Sequence, residues 1–194
     1  DISLDEIAKN VEKYPLRGAT LRALQTVRDS WVTVTKERRT NVTIQNPITE
    51  RTKKLISDSQ QPIAEAIANL EAELERLEAV ADKREKETKR WQAHYDYARA
   101  EIQFRLVLLA EYNLAMARVR TESLPDLPPG ATGWRLVLSE KLQAKTVRKL
   151  FDASQETFNT LAKTHKGTPW EVLAKRSLAV IPGLQWEPVV PEGK

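Results

Sequence analysis

The ten residues "ADKREKETKR", Ala81 to Arg90, decide how this chain folds. An apolar stripe at helical spacing runs on both sides of them, and they either carry it through or turn it back. Upstream the stripe visits Ile63, Ile67, Leu70, Leu74 and Leu77. Downstream the seam takes Trp91, Tyr95, Ala98, Ile102, Arg105, Leu109, Tyr112, Met116 and Val119. Alternating steps of four and three are the heptad seam of a coiled coil. Between them the register survives through Ala81, Arg84 and Thr88, with no Gly or Pro in the way. Asp82 with Lys86, and Glu85 with Lys89, stand four apart with the acid first, the favourable order on a helix. The spacing therefore predicts one helix from Pro62 to Arg120, about 88 Å long at ~1.5 Å per residue. The rival is an antiparallel hairpin that turns inside the charged stretch, where the seam becomes polar. In either case the stripe needs a cover: the N-terminal helices, the other arm, or a second chain.

Composition sets the surroundings. Of 194 residues 41% are hydrophobic and 30% charged, which suits a packed core rather than wholesale disorder. Six glycines among abundant Ala, Leu, Glu, Lys and Arg favour helix throughout. The absence of cysteine excludes disulfides, thiolate metal sites and cysteine nucleophiles. A formal charge of +4 is mild, and the cations are interleaved with acids as on a solvated helix surface. No apolar run approaches the ~20 residues of a membrane helix. The chain opens on Asp1 without a secretory leader pattern, which suits a fragment or a processed form.

Five segments follow from local signals. Residues 1–45 hold N-terminal helices: Ser3 to Glu6 fits a capping box, and a second helix runs from about Ala19 to Arg38. Its β-branched run Trp31 to Thr35 is also compatible with a strand. Residues 46–122 hold the long helix or hairpin, with Asn46 as N-cap and Pro47 in the first turn. A Pro/Gly-rich connector, 123–141, breaks the helix, and Trp134 to Leu138 reads as an extended piece or a helix lead-in. Residues 142–181 form a helix pair, and the tail 182–194 folds back onto it. Trp134, Trp170 and Trp186 are expected as packing anchors around that pair.

The turn inside the pair is "KTHKGTPWEVLAKRSL", residues 163–178. Thr168 reads as N-cap, Pro169 as the first helical residue and Glu171 as the closing half of a capping box. Gly167 provides backbone freedom, and His165 is a solvent-facing turn residue. Phe151 to Ala174 resembles the junction between tetratricopeptide units, although no second copy at a ~34-residue period is visible. "KYPLRGATLR", "TNVTIQNPIT", "KRWQAHYDYARA" and "GTPWEVLAKR" resemble the helical region of large bacterial proteins that also carry a von Willebrand factor type A domain. The resemblance implies a helical accessory region of a larger envelope- or surface-associated protein. The metal motif of the type A domain, Asp-x-Ser-x-Ser, does not carry over. The nearest string, Asp152 to Glu156, lacks the last serine and sits in a predicted amphipathic helix.

Site chemistry is sparse. His94 and His165 have no Ser, Asp or Cys at a diagnostic spacing, and His94, Tyr95 and Asp96 point apart on a helix. Glu71, Glu73, Glu75 and Glu78 read as the solvated outer face of the heptad. Basic clusters at 36–39, 51–54 and 83–90 form the basis of the alternative reading, nucleic-acid binding, but the acids mixed through them dilute any phosphate-tracking stripe. The expectation is an all-α, elongated helical bundle with a long central helix or coiled-coil hairpin and a tetratricopeptide-like C-terminal pair. Its expected role is non-enzymatic, an interaction or scaffolding region that packs helices against a protein partner or itself. No cofactor, metal, small-molecule substrate or membrane insertion is inferred. The candidate interaction surface is Trp91, Tyr95, Ile102, Leu109, Tyr112 and Met116, provided the chain itself does not cover that stripe.

Overall fold

The computed structural model describes residues 2–37 and 42–191. In chain order these form α1 (Leu4–Lys9), α2 (Pro15–Glu37), β1 (Thr43–Gln45), α3 (Glu50–Glu78) and α4 (Lys89–Arg120). There follow β2 (Gly133–Ser139), α5 (Arg148–Thr164), α6 (Pro169–Leu178) and β3 (Gly183–Val189).

The charged stretch turns the chain back. The N–H of Ala79 closes α3 on the Glu75 carbonyl at 2.9 Å, and Ala81–Lys86 winds as a 3₁₀ segment. Glu87 and Thr88 are extended ahead of the next helix, and α4 packs against α3 as the second arm of a hairpin. The single helix from Pro62 to Arg120 therefore does not form. Asp82 pairs with its neighbour Lys83 rather than with Lys86, and Arg84 and Glu87 bond to distant partners. Arg84 forks onto Asp96 of α4, with Nε–Oδ1 at 2.7 Å and Nη2–Oδ2 at 2.5 Å. Arg17 of α2 grips Glu87 in the same way, at 2.7 to 3.0 Å. Two forked pairs hold a bend that no Gly or Pro announces.

With the bend in place, the two halves of the seam meet. Ile63, Leu70 and Leu77 share one core with Tyr95, Ile102, Leu109 and Met116, and the Tyr95 hydroxyl donates to the Leu77 carbonyl at 3.0 Å. Leu16, Ala19, Ala23 and Val27 of α2 complete that core. On its other side α4 turns Ala93, Ala100, Phe104 and Leu108 to Phe158, Leu161 and Ala174 of α5 and α6. A helix covered on two sides keeps only a narrow polar face. That is why α4 carries more apolar positions than one heptad seam needs.

The fold is mostly helical but not all-α. β1, β2 and β3 form an antiparallel sheet in that order, drawn from the loop, the connector and the tail. Trp134 and Leu136 are buried while Arg135 between them is exposed, the period-2 pattern of a half-covered strand. Pro188 sits opposite Trp134 and has no N–H to donate. Residues of its parity on β3 therefore form the non-hydrogen-bonded pairs, which leaves the Leu184 N–H free for another acceptor. A Cβ on Gly133 would lie 2.0 Å from the Ile44 carbonyl oxygen, and one on Gly183 would lie 2.3 Å from that of Lys141. Only glycine permits these approaches. Trp134 and Trp186 belong to the main core rather than to the C-terminal pair. Their indole N–H groups donate to the carbonyls of Pro125 at 2.7 Å and Ala115 at 2.9 Å.

Of the caps the sequence signals, Ser3 forms as expected, Asn46 does not, and Thr168 stands at the start of α6 without a side-chain cap bond. Ser3 accepts the Glu6 N–H at 3.1 Å. The third helix starts at Glu50 under a Thr49 cap, not at Asn46–Pro47, whose peptide bond is cis. The second helix starts at Pro15 and takes Gly18 inside, and residues 31–35 continue it without forming a strand. Among the described residues no helix is long and apolar enough to cross a membrane.

Candidate functional site

The seam is closed within the chain. Relative exposure is 9% for Trp91, 3% for Tyr95, 0% for Ile102, 1% for Leu109, 4% for Tyr112 and 2% for Met116. The six residues expected as a docking stripe are core, because the hairpin and α2 supply the cover that a second chain was expected to supply.

What stays open is a cleft of about 790 Å³ along the first third of α4. Lys89, Gln92, Asp96 and Arg99 recur at steps of three and four, so one face of the helix makes its floor over ~15 Å. Glu78 and Arg84 form the wall at the hairpin bend. Glu156, Thr157, Thr160, Thr164 and His165 of α5 form the other.

Its polar groups differ in how far they are satisfied. Asp96 first and Glu85 second hold the Arg84 guanidinium protonated well above its ordinary range. The Lys89 ammonium reaches the Gln92 amide oxygen at 3.3 Å, and the Gln92 amide donates to the Glu87 carbonyl at 3.0 Å. Arg99 Nη2 lies 3.6 Å from Glu78, beyond hydrogen-bond reach, and its Nε–H is shut from solvent without an acceptor. Across the cleft the hydroxyls of Thr157 and Thr164 donate to the carbonyls of Ala153 at 3.0 Å and Thr160 at 2.8 Å. Their oxygens are left as acceptors. The α4 floor thus offers the cations of Lys89 and Arg99, and the α5 wall offers hydroxyl acceptors.

Neither histidine belongs to a catalytic constellation of the kind His94-Tyr95-Asp96 suggests. Tyr95 bonds to Leu77 and Asp96 to Arg84, while the His94 ring tilts onto Trp91 at 5.2 Å and meets Trp170 edge-on at 5.0 Å. Burial, helped by the nearby Arg90 charge, pushes the His94 imidazole below its ordinary value. His165 caps α5, its N–H on the Leu161 carbonyl at 3.0 Å, and its ring stands 5.8 Å from Trp170. It is half-buried rather than solvent-facing. Glu171 accepts the N–H of Gly167 at 2.6 Å, one residue before the capping-box position, and pairs with Lys175 at 2.6 Å. Gly167 takes a φ of 75° there.

Sequence reasoning missed three buried carboxylates. Glu73, read as outer-face, is 4% exposed and held by Arg22 and Arg76. Glu101 accepts the Ser177 hydroxyl and pairs with Arg105 at 3.2 Å, and burial with this carboxylate raises the Tyr97 phenol far above its ordinary range. Glu111 accepts three backbone N–H groups, from Gln143 at 2.7 Å, Ala144 at 2.6 Å and Leu184 at 3.2 Å. Their only signal was an acid placed on a helix face that is otherwise apolar.

The basic clusters are matched by acids in part. Lys53 bonds to Glu50 at 3.0 Å and Glu122 at 2.6 Å, and Lys83 to Asp82 at 2.6 Å. The side chains of 36–39 lie outside the described residues. Among those described, no group of three His, Cys, Asp or Glu could hold a metal ion. No family model matches the chain, and no curated protein or solved structure matches it either.

Proposed function

We propose that this chain is a non-enzymatic interaction region of a larger bacterial protein, and that its recognition surface is the cleft over α4 rather than the heptad seam. The observation that carries the reading is the contrast between the two. The seam is spent on the hairpin, whereas the cleft keeps polar capacity on three elements of a well-packed support. Its volume falls within the roughly 300–1,000 Å³ usual for ligand-binding clefts. The resemblance to helical regions that accompany von Willebrand factor type A domains supports an accessory role. The likeness of the α5–α6 pair to a tetratricopeptide junction supports recognition of a polypeptide. Pairing of Lys53, Lys83 and Arg84 with acids favours a protein over a nucleic acid as partner.

Site-specific photocrosslinking in cells tests this. A photoreactive residue replacing Thr160, inside the cleft, is expected to trap a discrete polypeptide. The same residue replacing Glu71, exposed on α3, is expected to trap none. Crosslinks of equal yield at both positions, or none at Thr160, would overturn the assignment.

A further inference from the structure

We infer that the cleft takes an acidic segment of a partner polypeptide, a side-chain carboxylate seating on Lys89 and Arg99 of α4. This rests on the interaction reading above and adds the chemistry of the ligand. Of the three cations lining the cleft, Arg84 is saturated by a forked carboxylate and by Glu85. Lys89 and Arg99 carry no hydrogen-bonded carboxylate. Lys89 has only a 3.3 Å contact to a neutral amide, and a lysine ammonium can donate three bonds. Arg99 is held at one end by a loose 3.6 Å approach to Glu78; its side chain is 41% exposed, so its terminal amino groups are open to a ligand, while its unbonded inner N–H is shut from solvent. An arginine fork matches a carboxylate in two parallel bonds, so an incoming acid improves on the contact it replaces.

The two cations stand ten positions apart on one face, ~15 Å along the helix. A single small anion cannot reach both, whereas an extended segment with acids a few residues apart can. The net charge of +4 adds long-range attraction for such a segment. Three acids also line the cleft: Asp96 is neutralised by Arg84, Glu78 stands beside Arg99 and must yield to the incoming carboxylate, and Glu156 disfavours an acid on the opposite wall.

The probe is fluorescently labelled hexaglutamate with blocked termini, titrated into the full chain and read by anisotropy. A second reading follows the Arg99 Nε–H resonance, assigned by its loss in Arg99→Lys. Saturable binding is expected with a shift of that resonance. Lys89→Gln and Arg99→Gln are each expected to weaken it about tenfold, the loss of one charge-assisted bond. Arg51→Gln, exposed at the start of α3, is expected to leave it unchanged. No binding, equal binding to all variants, or full displacement by equimolar inorganic phosphate would each overturn the inference. If hexaglutamate fails while photocrosslinks at Thr160 persist, the interaction reading stands and only the acidic chemistry falls.

Discussion

The carboxylate of Glu111 accepts the backbone N–H of Leu184 at 3.2 Å, across 73 residues of sequence. Its other oxygen takes Gln143 and Ala144, so one buried side chain of α4 fastens both the lead-in to α5 and the edge strand β3. Glu111→Ala leaves three N–H groups without their acceptor and is expected to cost about 3 kcal/mol. Glu111→Gln keeps one carbonyl oxygen but turns an amide donor toward a backbone donor, so its expected cost is about half as large. Urea unfolding of the two variants checks both the size and the order.

Arg17 and Glu87 pin α2 to the hairpin bend, each side chain only 15% exposed. The guanidinium also lies over Tyr14 at 5.5 Å and Trp91 at 5.3 Å. Arg17→Gln and Glu87→Gln are each expected to cost about 2 kcal/mol, since each strands a partly buried partner. The double variant is expected to cost little more than either single one. A double-mutant cycle reads the coupling directly; strict additivity would show that the pair does not hold the bend.

Gly133→Ala drives a methyl group into the Ile44 carbonyl and is expected to cost about 3 kcal/mol, the upper end of overpacking penalties. Gly130→Ala meets nothing within 4 Å and bears only the strain of φ +84°, about 1 kcal/mol. Thermal melts of the two variants separate backbone crowding from backbone strain.

Acid loosens the α4–α6 contact. The His94 imidazole is held below its ordinary value of 6.5 by burial and then by Arg90, so the folded state prefers the neutral ring. That preference stabilises fully above about pH 6.5 and is lost as pH falls through that value toward the lower folded one. Thermal melts of the wild-type chain between pH 7.5 and pH 5 are expected to fall more steeply than those of His94→Gln. Parallel curves would show that the ring does not titrate against folding.

Much of the helical frame is legible in the residues themselves. Heptad spacing places Ile63 to Leu77 and Tyr95 to Val119 on facing stripes, and Ser3 caps its helix as its type requires. The bend is not legible, because the pairs that hold it, Arg84 with Asp96 and Arg17 with Glu87, join residues 12 and 70 apart. Locally, Asp82, Glu85 and their lysines look like helix support. β3 hides behind Pro182 and Pro188, which a strand tolerates only at an edge or in the parity this sheet gives them. The cleft arises where the bend meets α5, and no periodicity of either segment contains it. Of its floor residues Lys89 is exposed, Arg99 half-buried and Gln92 buried.

Light scattering coupled to size exclusion, with small-angle X-ray scattering on the same sample, tests most directly whether the seam is closed within one chain. The expected result is a 22.1 kDa monomer with a radius of gyration of about 16 Å, the value for a compact chain of this length. An extended dimer with a rod of about 88 Å at its centre, the length of one unbroken helix, would contradict it. The seam would then lie between chains, and the cleft at the bend would not exist.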